Sequence, residues 1–186
     1  MSSIIKVNTF QDANGNALFS SDGSGTVTLD SNFSGVLPDM TPSFYASMSA
    51  NQSVSSATWT KVQVNTELFD TDNAYDNSTN YRFTPQVAGK YYIGANVTGG
   101  AGSGTSAGLY ASIYKNGSAV RESYYNSYST YSLNRMSLIL SSIIDFNGSS
   151  DYVEIFGYVD NNTGSASFNG GSNHKSVFFG YRILGA

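Results

Sequence analysis

Two short runs, Tyr152-Val153-Glu154-Ile155-Phe156 and Lys61-Val62-Gln63-Val64, decide the fold class. In each, a β-branched apolar residue returns at every second position, the period of a strand with one buried face and one wet face. Working outward from them, strand signals recur over 44–49, 58–64, 81–83, 90–98, 108–115, 132–144, 152–160, 165–168 and 176–184. The connections are rich in Gly, Asn and Ser, as in Gly99-Gly100-Ala101-Gly102-Ser103-Gly104, Asn116-Gly117, Asn147-Gly148 and Asn169-Gly170-Gly171. About eight to ten strands at this spacing predict an all-β, two-sheet sandwich of the jelly-roll kind.

Composition agrees. The 186 residues include 19 Gly, 14 Tyr and 11 Phe against 12% charged residues and 3 Pro, a mixture of turn formers and strand formers that excludes a helix bundle. The length suits one domain with a short appendage. With no cysteine, disulfide frameworks, thiolate metal sites and cysteine nucleophiles are absent, and stability must come from core packing or oligomerisation. A net charge of -4 and a pI near 4.7 argue against nucleic acid or an anionic membrane as partner. No apolar run approaches the roughly 18–20 residues that span a bilayer, so no membrane insertion is expected. The N-terminus has neither the basic start nor the apolar stretch of a secretory signal, so no Sec-type export is expected.

The first 40 residues read differently. Lys6 stands against Asp12, Asp22, Asp30 and Asp39, a net -3 out of the total -4. The runs Ile4-Ile5-Lys6-Val7-Asn8-Thr9-Phe10, Ala17-Leu18-Phe19 and Thr26-Val27-Thr28-Leu29 are strand patterns separated by Asp12-Ala13-Asn14-Gly15-Asn16 and Asp22-Gly23-Ser24-Gly25. Three such strands bury no core alone, which leaves disorder in isolation, intertwining with copies of themselves, or anchoring to another protein. A linker over 32–41, containing Gly35 and Pro38, follows. The expected division is therefore an anchor segment and linker over 1–40 and a head domain over 41–186.

The stretch from Tyr75-Asp76-Asn77-Ser78-Thr79-Asn80-Tyr81-Arg82-Phe83 through Thr84-Pro85-Gln86-Val87-Ala88-Gly89-Lys90-Tyr91-Tyr92-Ile93 resembles the globular head of complement component one, subcomponent q. That family has, in this order, a Tyr-Asp pair, a Thr-Gly-x-Phe turn, a Pro and a Gly-x-Tyr-x-aromatic run. Ile113-Tyr114-Lys115-Asn116-Gly117, Asp151-Tyr152-Val153 and the closing Ser176-Val177-Phe178-Phe179-Gly180-Tyr181-Arg182-Ile183-Leu184 match where the family would put them, so the resemblance covers 43–186. It implies the ten-stranded jelly roll shared with tumour necrosis factor, assembled as a tight homotrimer with both termini at one end. Two departures stand out. Thr79-Asn80-Tyr81-Arg82-Phe83 is one residue longer than the family's turn and lacks its Gly, and no collagen-like Gly-X-Y stalk lies upstream, so a complement or hormone role does not carry over. The N-terminal 30 residues are similar to the beginnings of tailed-bacteriophage structural proteins.

Candidate chemistry is sparse. The single histidine, His174, lies in a Gly- and Asn-rich turn without a Gly-x-Ser-x-Gly elbow, and reads as a solvent-exposed loop residue rather than a triad member. No P-loop or dinucleotide fingerprint is present, and the chain is expected not to be an enzyme. Asp70, Asp72 and Asp76 offer the hard oxygen ligands of a candidate calcium site. Tyr75 and Tyr81 occupy the sixth and twelfth positions where an EF-hand needs Gly and Glu, and the other reading is a solvated turn built on Asp and Asn. In Ser123-Tyr124-Tyr125-Asn126-Ser127-Tyr128-Ser129-Thr130-Tyr131, tyrosines spaced by small polar residues give rigid contact area with adaptable hydrogen bonding. Tyr124, Tyr125 and Tyr128 are the candidate ligand contacts; a seam between subunits and plain strand-face residues are the alternatives. Trp59 is expected as a core or seam anchor.

The expectation is a structural protein of a tailed-phage virion, assembled in the host cytoplasm. It would be a trimeric capsid decoration, head fibre or short tail fibre, held to a capsid or tail protein through residues 1–40 and displaying a head for a host-surface glycan or protein. The alternative is a free bacterial carbohydrate- or protein-binding jelly-roll module.

Overall fold

The computed structural model describes residues 8–29, 40–127, 133–173 and 175–183. Ile4 to Val7, Gly35, Pro38, Tyr128 and His174, all named above, lie outside the described residues. The chain divides into two compact units, Met1–Asp39 and Met40–Ala186.

The first unit is a three-stranded antiparallel sheet, β1 (Thr9–Gln11), β2 (Ala17–Ser21) and β3 (Val27–Leu29), in the order β1-β2-β3. Its turns are closed by aspartates. Asp12 accepts from the N–H groups of Asn14 and Asn16 at 2.8 and 2.9 Å, and Asp22 from Ser24 N–H at 2.7 Å. The Asn16 side chain and the Ser24 hydroxyl, foremost among several hydrogen bonds, hold the two carboxyls below the usual carboxylate range. Phe10 and Phe19 stack across the hairpin at 4.3 Å. None of the residues 8–28 is buried, so among the described residues this unit has a register and turns but no interior.

The second unit is an all-β sandwich. One sheet has seven strands: β5 (Gln52–Ser53), β15 (Ala166–Phe168), β10 (Ala88–Ala101), β16 (Val177–Arg182), β4 (Ser43–Ser47) and β7 (Thr66–Asp70) in that order, with β13 (Arg135–Asn147) on the other side of β10. The other has six: β12 (Ser118–Asn126), β11 (Thr105–Lys115), β14 (Val153–Thr163), β9 (Arg82–Phe83) and β8 (Tyr75–Asp76), with β6 (Thr60–Lys61) also on β14. The segments beyond the ten of the expected jelly roll include short strands of two residues: β6 and β9 fall inside the expected runs 58–64 and 81–83, whereas β5 and β8 lie where no strand was expected. The strand expected over 58–64 shrinks to Thr60–Lys61, although Val62 and Val64 still point inward and are buried.

Strand alternation fills the space between the sheets. Tyr91, Ile93, Ala95 and Val97 of β10 meet Leu109, Ala111 and Ile113 of β11 and Val153, Ile155 and Val159 of β14 in one buried cluster. Its aromatic centre is Phe44, stacked on Phe83 at 4.4 Å and on Tyr75 at 4.8 Å, with Phe178 edge-on at 4.8 Å. Buried polar atoms are matched: Tyr75 Oη donates to the Val64 carbonyl at 2.7 Å, and burial pushes its hydroxyl well above the ordinary tyrosine range. Tyr91 Oη donates to the Val87 carbonyl at 2.8 Å, with burial raising it to about 12. The turn before β9 is made without the glycine of the resembled family: Tyr81 itself takes φ 51°, the left-handed region that glycine normally supplies.

One ion pair sits within the wall of the second sheet. Lys61 Nζ lies 2.6 Å from Glu154 Oε1 and also donates to the Asn80 carbonyl at 3.1 Å, while the Glu154 side chain is only 8% exposed. Removing one partner of such a pair strands the other charge, whereas replacing both with apolar groups is often nearly neutral. Lys61→Met should therefore lower unfolding stability by about 3 kcal/mol, and Lys61→Met with Glu154→Leu should recover most of that loss in urea denaturation. A double variant no more stable than the single one would show that the pair's charge is not the issue.

Candidate functional site

With the interior filled, the chemistry left to this unit lies on its two outward sheet faces. On the seven-stranded sheet the register aligns Phe69, Tyr45, Phe179, Gly94 and Ser141 in one cross-strand row. A second row runs Ser43, Tyr181, Tyr92 and Ile143, and a third Ser47, Val177, Asn96 and Ile139. None of these positions carries a charge. Tyr45 and Phe179 stack at 5.8 Å, and Tyr92 meets Tyr181 at 5.5 Å. Phe179 lies flat over Gly94, whose position would place a Cβ 2.5 Å from the ring's Cζ, so only glycine lets the ring settle there without shifting. Phe69 is 52% exposed and Ile139 80%, and a shallow apolar hollow of about 330 Å³ opens among Met40, Tyr45, Phe69 and Tyr181.

The opposite face, on the six-stranded sheet, is aromatic in a different way. Tyr124, Tyr110 and Tyr158 stand in register on β12, β11 and β14. Tyr110 stacks on Tyr124 at 5.5 Å with the rings nearly parallel at 18°, and meets Tyr158 at 5.2 Å and 79°. Trp59, just before β6, leans over them at 71° to Tyr110 and 50° to Tyr158. The next row carries Glu122, Ser112, Phe156 and Lys61. Trp59, Tyr110, Tyr158 and Glu122 line an open cleft of about 320 Å³.

These positions bear on two expectations. Trp59 is not a core anchor: it is 36% exposed, and it shares the parity of Lys61 and Gln63 while Val62 and Val64 take the buried side. That parity is legible in the sequence. Tyr124 and Tyr125 do not form one patch. Tyr124 pairs with outward Tyr110 and Tyr125 with inward Leu109, because neighbours on a strand point to opposite faces. Tyr125, on the edge strand, is nonetheless 45% exposed, and Tyr128 lies outside the described residues. Tyr110, Tyr158 and Glu122 are not legible as site residues in the sequence, because strand alternation gives the face of a residue but not which strand lies beside it.

The carboxylates considered for calcium are engaged with their own loop. Asp70 accepts from Tyr75 N–H at 2.8 Å and Asp72 from the Thr71 hydroxyl at 2.5 Å. Asp76 accepts from the N–H groups of Ser78, Thr79 and Asn80 at 3.0, 2.9 and 3.1 Å and from Asn80 Nδ2 at 2.7 Å. Among the described residues no three His, Cys, Asp or Glu side chains gather as a metal site. The Thr79 N–H, with Ser78 and Asn80 adding to it and slight burial opposing, holds the Asp76 carboxyl far below the usual range. A group whose folded pKa is depressed stabilises the fold above its unfolded value, about 3.9, and loses that contribution as pH falls through the folded value. Asp76→Ala should thus cost about 1–2 kcal/mol at neutral pH, and the gap to the parent in thermal melts should narrow below about pH 3. A gap that is constant down to pH 2 would mean that the ionised carboxylate does not close this turn.

No protein-family model and no curated protein matches the sequence. Solved structures do. The globular domain of zebrafish complement 1qA protein superposes with a TM-score of 0.54 at 15% identity, over 78% of this chain and 98% of that one. Murine APRIL at pH 5.0 gives 0.55 at 10% identity, over 76% and 98%. Eiger TNF from S. frugiperda gives 0.53 at 11% identity, over 81% and 96%. The fold is the jelly roll of the complement 1q and tumour necrosis factor type.

Proposed function

We propose that the chain is a non-enzymatic, homotrimeric structural appendage of a tailed-phage virion, held by its first unit and presenting its jelly-roll head outward. The observation that carries the reading is the pairing of a small β unit, none of whose residues 8–28 is buried, with a head whose seven-stranded sheet turns aromatic rows free of charge to solvent, the Lys90–Asp145 pair lying in the next row. A hairpin sheet whose described residues are all at least partly exposed gains stability from a partner surface, which suits a capsid or tail protein. An exposed apolar face of this extent suits a second and third copy of the same chain. The resemblance to complement 1q and tumour necrosis factor heads favours a trimer, and the six-stranded sheet, with Tyr124 on its outer face, is then left for a host-surface glycan or protein.

In solution, the protein should sediment at three times 19.9 kDa. Phe179→Asp, which puts a charge in the centre of the aromatic row, should give a folded monomer with unchanged far-ultraviolet dichroism. A parent protein that is itself a well-folded monomer would remove the trimer.

On particles, mass spectrometry of purified virions should find the chain in stoichiometric amount. Deleting residues 1–39 should leave trimer mass and cooperative melting intact while abolishing incorporation. Absence from purified virions would defeat the virion role, and loss of folding on deletion would put the first unit inside the head's stability. Tyr124→Ala particles should carry normal trimers and adsorb less well to host cells.

A further inference from the structure

We infer that the cleft between Trp59 and Glu122 is a binding site for a small organic ammonium group, of the alkylated kind that an aromatic wall and one carboxylate recognise together. The inference rests on the assignment of this face to an external ligand, and it does not depend on the virion role. Three aromatic side chains, Trp59, Tyr110 and Tyr158, and a single acid, Glu122, line the cleft. Ring planes at 71°, 79° and 50° to one another make steep walls rather than a floor.

Ring orientation separates this ligand from a flat sugar. A pyranose stacks on a broad ring face left open to solvent, but the near-parallel pair here, Tyr110 and Tyr124, turn their faces toward each other at 5.5 Å. A compact cation needs no such platform. It is attracted by the negative faces of rings that meet it at different angles, Trp most strongly, and the attraction grows as water is excluded.

Charge points the same way. Among the described residues the Glu122 carboxylate has no hydrogen-bond or ion-pair partner, whereas the cation in its row, Lys61, is held 2.6 Å from Glu154. The aromatic ring of Phe156 lies between Lys61 and the rest of the row, with Lys61 Nζ 5.9 Å from its centroid. The carboxylate is therefore free to neutralise a guest, in a protein whose net charge is already -4.

The chain has one tryptophan, so its emission reports this cleft alone. Choline chloride titrated into the full-length protein, against sodium chloride at equal ionic strength, should change Trp59 emission saturably in the millimolar range. The uncharged isostere 3,3-dimethylbutan-1-ol should bind about tenfold more weakly. Glu122→Gln, an exposed change that leaves the fold alone, should weaken choline severalfold and leave the isostere unaffected, and Tyr158→Leu should weaken choline too. Equal titration by choline and its isostere, no saturable change with choline, or tighter binding of methyl α-glucoside would each overturn the cation assignment. If Tyr124→Ala still impairs adsorption in that event, the face remains a ligand surface and only its chemistry is revised. If choline binds as expected while adsorption is unaffected, the cation site stands and the host-attachment role of the face falls.

Discussion

The stack of Phe44 against Phe83 and Tyr75, at 4.4 and 4.8 Å, is the contact on which the sandwich depends. Phe44 belongs to the seven-stranded sheet and its two stacking partners to the six-stranded one, so a single side chain ties the layers together at the point where β8 and β9 contribute only two residues each. Strands that short supply few ladder hydrogen bonds, and ring packing replaces them: aromatic pairs in offset or edge-on contact add about 0.5–1.5 kcal/mol beyond their burial. The Tyr75 hydroxyl then removes the one polar penalty of the stack by reaching the Val64 carbonyl. Everything outward of this seam follows from parity. Once Phe44, Phe178, Tyr91 and Ile155 face in, Tyr45, Phe179, Tyr92 and Phe156 must face out.

The long strands were legible because one of their faces is continuously buried. The expectation over 90–98 became β10 (Ala88–Ala101), and that over 152–160 became β14 (Val153–Thr163), both longer than read because glycine and asparagine at their ends look like turns in the sequence and yet pair in the sheet. β12 was missed for the opposite reason. It is an edge strand with no buried residue, so it lacks the periodic apolar signal by which a strand announces itself. Its tyrosines stand out in the sequence only as an odd composition. Within the site, the parity of Trp59 can be read against Val62 and Val64, but the meeting of Trp59 with Tyr110, 51 positions later in the chain, depends on β6 and β11 flanking β14, and strand order is not written in any local run.

The two outer faces differ in chemistry rather than in aromatic content. Both are rich in rings. On the seven-stranded sheet the rows through Tyr45 and Tyr92 contain only apolar and neutral polar residues, and the charges of the adjacent row, Lys90 and Asp145, pair with each other. On the six-stranded sheet Glu122, Glu154 and Lys61 sit among the rings, and a partner there must answer a pattern of charge as well as shape. A flat neutral face favours broad, permanent contact; a cleft with one free carboxylate favours a small and selective guest.

No residue of β12 is buried, and this frees the strand in one respect. The core places no demand on its side chains, while its backbone is held in register by β11 along its length. Glu122 and Tyr124 are therefore among the cheapest positions in the molecule to change. A lineage under pressure to recognise a new surface could rewrite this wall of the cleft residue by residue, keeping Trp59 and Tyr158 as a fixed backdrop and leaving the folding of the sandwich untouched.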